Sequence, residues 1–321
     1  MTFKENALKK FKAFSLAAFG LLFFLFIEYT LILVFILFNI DREIYRGIFN
    51  FFVTVLTAAG MLLLAKLDSS FSKKPLIKFK KLGADQVVAL IVIAFGMLGF
   101  VTTYIIVADK VSAYIDSLRQ SVEEYREAVD RYSDVSQDIV PVWDSVIYVF
   151  TLCFIVPVAE ELVFRGIVFG ELRKGFGPWV SVLISAVVFG LMHGRDIHIG
   201  YALVCGIIIA ACYYLTDSLI ASIILHMIFN IFGSGVASFM SIEYFGISEE
   251  IRNSFMQVVN IASCLLMPVA VLLMAYLVSA KRKKDKALAE AAAFADNRPE
   301  ESPVSGEDIK LSAGDGIEAP Q

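Results

Sequence analysis

The stretch VPVAEELVFRGIVFG, residues 156–170, sets Glu160, Glu161 and Arg165 into an otherwise apolar run. Glu161 and Arg165 are four residues apart with the acid nearer the N-terminus, the favoured orientation for an ion pair within a helix, so these two neutralise one another. Glu160 points about 100° away around the same helix and needs another neighbour. Pro157, one turn earlier, removes a backbone donor and loosens the helix there. The chain has three histidines: His193 in VVFGLMHGRD, His198 in DIHIG and His226 in IILHMIFNIF. His226 and Asn230, four apart, share a helix face. A carboxylate, two imidazoles and a carboxamide are the groups that activate a water and steady an oxyanion. Any one of them alone also reads as a polar residue tying two helices together, and His198, beside a short loop, reads that way. Their combination is harder to explain by packing.

The elements that carry these residues are membrane spans. The 321 residues are 58% hydrophobic and 19% charged, and mean hydropathy is +0.73, outside the range of a soluble domain. Runs of roughly 20 apolar residues cross a bilayer. Eight are read, at 13–39, 48–66, 87–107, 141–172, 178–194, 198–216, 218–239 and 255–279. The expected fold class is therefore all-α, a polytopic membrane protein of about eight transmembrane helices. The first run is too long for the core of a cleaved signal and is read as an anchor. Cys153, Cys205, Cys212 and Cys264 all fall in spans and read as small apolar residues, with no disulfide framework expected.

Ionisable groups inside such spans are costly and mark functional sites by default. Basic clusters set the orientation. Lys4, Lys9, Lys10 and Lys12 precede the first span, Lys66, Lys73, Lys74, Lys78, Lys80 and Lys81 lie between the second and third, and Lys281 to Lys286 follow the last. The positive-inside rule makes all three cytoplasmic, with both termini inside. The parts are then transmembrane helices in 1–107, an extracytoplasmic amphipathic segment at 108–140, a core at 141–240, a last span in 241–280, and a basic then disordered tail at 281–321. In 109–138, Val111, Ile115, Leu118, Val122, Tyr125, Val129 and Tyr132 fall on one helix face. That face covers the outer mouth of the bundle or meets a partner. Beyond residue 290 the chain is alanine-rich and then polar, a composition read as disordered. No repeat, phosphate loop, Cys-x-x-Cys pair or nucleic-acid signature is present, so no nucleic-acid partner is expected.

EELVFR at 160–165, FGLMH at 189–193 and HMIFN at 226–230 fit Glu-Glu-x-x-x-Arg, Phe-x-x-x-His and His-x-x-x-Asn. In that order on successive helices they resemble the membrane-embedded family of CAAX proteases and bacteriocin-processing enzymes, the CPBP or Abi family, over about residues 141–240. The resemblance implies an intramembrane endopeptidase of metallo- or glutamate type. Glu160 and His193 would activate the attacking water, His226 and Asn230 would hold the oxyanion, and Glu161, Arg165 and Phe189 would brace the site. It also implies a membrane-associated peptide or protein substrate and, by expectation, a bacterial cytoplasmic membrane. The cofactor is either none or zinc, with Glu160, His193 and His226 as the ligand set. Two other readings are a non-catalytic immunity or scaffold protein that binds a peptide, and a proton-coupled transporter using Glu28 with Glu160.

Overall fold

In the computed structural model, residues 2–133, 140–194 and 196–296 are described. They are almost wholly helical. The first helices are α1 (Phe3–Leu37), α2 (Arg46–Ser72), α3 (Ala84–Ser112) and α4 (Asp116–Ser133). A long composite helix follows: α5 (Val142–Phe150), a π-helical stretch Thr151–Ile155, α6 (Val156–Glu161), a second π-helical stretch Leu162–Phe169, and α7 (Gly170–Gly175). Next come α8 (Pro178–Leu191), α9 (Asp196–Thr216), α10 (Leu219–Asn230), a third π-helical stretch Ile231–Gly235, α11 (Val236–Met240), and α12 (Glu249–Asp296). The chain divides into two compact units, Met1–Ser279 and Ala280–Gln321.

Seven helical segments among the described residues are long and apolar enough to cross a membrane, which makes the protein all-α and multi-pass. The eighth expected span is shorter than its apolar run. Gly177 and Pro178 start α8 and the turn at Met192–Gly194, with Gly194 at φ +70°, ends it after 14 residues. At 1.5 Å per residue α8 is about 21 Å long, short of the ~30 Å hydrocarbon core. It forms an antiparallel hairpin with α9, in which Gly190 meets Leu203 and Ala186 meets Gly206.

The two ends of the bundle are tied by specific contacts. At one end the segment after α2 is pinned to the α9–α10 turn: the Leu219 N–H donates to the Lys78 carbonyl at 2.8 Å, Ser218 Oγ to the Lys80 carbonyl at 2.6 Å, and Lys78 pairs with Asp217 at 3.3 Å. At the other end Asp144 of α5 is fully buried and accepts hydrogen bonds from the Gly47 and Ile48 amides at 2.7 and 2.9 Å. It thereby caps the first turn of α2, which lacks a side-chain cap of its own.

At that same end α4 packs on α3 and α9. Val122 and Ala128 are buried, Ser121 Oγ bonds Asp196 at 3.2 Å, and Arg126 pairs with Asp109. The apolar stripe read from the sequence is only partly used. Val111 lies on α3, before the break at residues 113–115, and Val111, Ile115 and Val129 are exposed, whereas Leu118, Val122 and Tyr125 pack inward. The part of that segment at 134–139 lies outside the described residues. The last helix continues to Asp296, past residue 290, because KALAEAAAFA is built of strong helix formers; the expected disorder at 297–321 lies outside the described residues.

Candidate active site

The paired acids sit in a six-residue α-helical segment between two π-helical stretches. The first stretch has a local cause. The Val156 N–H donates to the Thr151 carbonyl, five residues back, and Pro157 has no N–H to give. The Leu152 carbonyl therefore loses its α-helical donor to Thr151 and its π-helical donor to the proline. The Asn230 side chain of α10 makes good the loss, its Nδ2 donating to the Leu152 carbonyl at 3.0 Å. In the second stretch the Phe164 carbonyl likewise accepts from Ser185 Oγ of α8 at 2.9 Å. Short π-helical stretches inside α-helices are rare and recur at functional sites.

Glu161 and Arg165 form the expected pair, Oε1 to Nη1 at 2.9 Å, with both side chains fully buried. Glu161 Oε1 also receives Nδ1 of His226 at 2.8 Å. Arg165 sends Nη2 to the Gly206 carbonyl at 3.0 Å and lays its guanidinium 4.6 Å from the Phe189 ring centroid. A Cβ at Gly206 would meet Phe189 Cδ1 at 3.0 Å, so the small residue is what lets α9 approach this ring closely. The buried guanidinium is thus held by a carboxylate, a carbonyl and an aromatic face, while its Nε has no hydrogen-bond partner among the described residues.

Glu160 is the accessible member of the pair, its side chain 29% exposed, and its Oε2 stands 3.8 Å from His226 Nε2. His226 is thus gripped on one nitrogen and faces an acid with the other. The Glu161 carboxylate, ion-paired to Arg165, can only accept, so Nδ1 carries the proton and Nε2 of the neutral ring is an acceptor. Nε2 of the neutral ring would thus face the Glu160 carboxylate as a second acceptor, across a gap too long for a direct hydrogen bond.

His193 lies in the turn after α8. Its Nδ1 donates to the Phe189 carbonyl at 2.7 Å, and its ring is 4.6 Å from the Phe189 ring, which is itself 6.0 Å from His226. The two imidazoles therefore flank one phenylalanine. Of the two, it is His226 that comes within ion-pair distance of Glu160. Beyond His193 lies a group that sequence reasoning did not assemble: His198 is 4.5 Å away, stacked at 4.8 Å on Tyr201, whose hydroxyl is 3.4 Å from that of Tyr125 on α4. The signal was present in the inward face of 109–138, but nothing in the sequence said which helix it would cover.

The zinc set named from the sequence, Glu160, His193 and His226, does not fit this arrangement. Among the described residues no three His, Cys, Asp or Glu side chains gather as a metal site requires. Glu160 and His226 face each other, while the Nδ1 of His193, in the turn after α8, is bonded to the Phe189 carbonyl.

Residues 142–232, which carry Glu160, Glu161, Arg165, His193, His226 and Asn230, match the family described as type II CAAX prenyl endopeptidase Rce1-like. The "Putative membrane peptidase YdiL" of Bacillus subtilis (strain 168) is 29% identical over 123 residues, 38% of this chain and 50% of that protein. The "UPF0177 protein YxdF" of Lactococcus lactis subsp. lactis (strain IL1403) is 36% identical over 85 residues, 26% of this chain and 46% of that protein. The chain spans about half the length of these curated relatives. No solved structure matches it. The resemblance to the CPBP family carried by the three motifs is thus shown over the segment that holds them.

Proposed function

We propose, from the match of residues 142–232 to the Rce1-like endopeptidases, that this protein is an intramembrane endopeptidase acting on a membrane-associated peptide or protein. The observation that carries the reading is the 3.8 Å gap between Glu160 Oε2 and His226 Nε2, with His226 Nδ1 committed to Glu161. A water that donates one hydrogen to each acceptor satisfies both and turns a lone pair outward. Glu160 then takes a proton as the water oxygen bonds the scissile carbonyl carbon. The carbonyl π electrons move to oxygen, and collapse of the tetrahedral intermediate breaks the C–N bond as Glu160 returns the proton to the leaving nitrogen. His193, as the motif resemblance implies, shares in holding that water from the α8 side. Asn230, one turn beyond His226, has a second amide hydrogen to give to the oxyanion. Glu161 and Arg165 fix the ring and tautomer of His226.

No step in this scheme runs through a metal. It is a glutamate-type mechanism, and its groups come from three helical segments packed around one buried phenylalanine. A protein that only bound a peptide would have no use for a carboxylate facing an oriented imidazole.

The test is cleavage of a quenched membrane-inserted peptide by purified protein. Glu160→Gln keeps the shape and removes the base, so kcat is expected to fall by roughly 10²–10⁴-fold. Native-rate cleavage by the Gln variant defeats the assignment, and an inert wild type on a broad peptide library favours the binding protein instead.

A further inference from the structure

We propose that Pro157 is a positioning residue: by denying the Leu152 carbonyl a helical donor, it creates the acceptor that orients the Asn230 carboxamide. The catalytic half of this claim rests on the endopeptidase reading, whereas the structural half does not.

The argument is an accounting of one carbonyl. In an α-helix the Leu152 oxygen would accept from the N–H of residue 156, but that N–H goes to Thr151. In a π-helix it would accept from residue 157, which is proline. A backbone acceptor without a partner inside a helical bundle is costly, and Asn230 Nδ2 meets it at 3.0 Å. A carbonyl oxygen can only accept, so the amide nitrogen must face it, and this selects one of the two flips of the carboxamide. Asn230 is the last residue of α10, where the helix opens into its own π-helical stretch, and its side chain has two free torsions. Anchoring one N–H sets both torsions during folding and fixes where the second N–H points. Donors aimed in advance at a developing oxyanion are worth more than donors that must be ordered in the reaction. Pro157 is buried at the start of α6, and its effect on Asn230 passes through the Leu152 carbonyl.

Pro157→Ala supplies the missing N–H. The experiment uses the full-length protein in detergent and four forms: wild type, Pro157→Ala, Asn230→Ala and the double variant. Thermal unfolding and peptide-cleavage kinetics are measured on each. Asn230→Ala should lower Tm in the wild-type background and leave it nearly unchanged in the Pro157→Ala background, where Leu152 no longer needs the side chain. Pro157→Ala alone should cut kcat by about 10–100-fold through a misaimed donor, with KM unchanged and Tm not lowered. An equal Tm loss from Asn230→Ala in both backgrounds overturns the proposal, and so does Pro157→Ala cleaving at the wild-type kcat. If even the wild type cleaves nothing, it is the endopeptidase reading that falls, and the positioning role with it, while the Tm comparison still decides whether Pro157 creates the acceptor.

Discussion

The Glu161 carboxylate accepts the Nδ1 hydrogen of His226 at 2.8 Å, joining two motifs that lie 65 residues apart. Because the same oxygen also receives Arg165 Nη1, one acid orients the imidazole while its charge is balanced from its own helix.

Arg165→Ala removes that balance and leaves a buried carboxylate against His226. Breaking a buried pair from one side costs about 3–5 kcal/mol, so thermal stability and proteolysis should both fall. Glu160→Gln, at a partly exposed position with no short hydrogen bond, should lower activity alone. Thermal unfolding of the two variants in one detergent separates them, and an Arg165→Ala protein as stable as wild type would show that the pair does not hold the site.

The Glu161–Arg165 pair was legible because its partners are four residues apart and the helical period alone brings them together. The motif residues were legible as types and order. What periodicity could not reveal was the grouping around them. His226 meets Glu161 through the packing of α10 on α6, and Asp144 caps α2 from 97 residues away. The π-helical stretches were also hidden, since runs of five to eight residues leave the apolar pattern nearly intact. Pro157 was the visible trace of the first one. Hydropathy read α8 as a span because it counts apolar residues, whereas Gly177, Pro178 and the Gly194 turn decide how many of them are helical.

Asp144→Ala tests a contact that the function does not use. Two amides in the first turn of α2 would lose a buried carboxylate, a cap worth about 0.5–2 kcal/mol. We expect a lower Tm with the kcat of the remaining folded protein unchanged. A variant with wild-type Tm would show that the cap contributes nothing to the fold, and a lowered kcat would tie this end of α5 to the chemistry.

Chelation tests the metal-free scheme. Among the described residues Glu160, His193 and His226 are not gathered as a metal site requires. Cleavage should survive dialysis against a strong chelator, and no zinc should copurify in stoichiometric amount. Activity that vanishes on chelation and returns with zinc, together with one zinc per chain that is lost in His193→Ala, would replace this mechanism with a metal-assisted one.

We propose a membrane orientation from the basic segment after α2 and the acidic helix α4, which a single span, α3, separates. Lys73, Lys74, Lys78, Lys80 and Lys81 lie in a short connection beside two spans, the setting in which positive charge faces the cytoplasm. By that rule the α9–α10 turn, pinned to this connection, is expected inside as well, and α4 outside with the start of α9 that it contacts. In a background where the four cysteines are replaced by serine or alanine, Lys74→Cys should react with a membrane-impermeant maleimide only after lysis, and Glu123→Cys in intact cells. In that orientation α8 starts at the cytoplasmic end and runs for only about 21 Å, so His193 should lie below the outer surface and beneath α4. A Met192→Cys probe should therefore react far more slowly than Glu123→Cys from the same side. Equal rates would mean that α4 leaves the turn open to water, and a reversed pattern at Lys74 and Glu123 would invert the whole assignment.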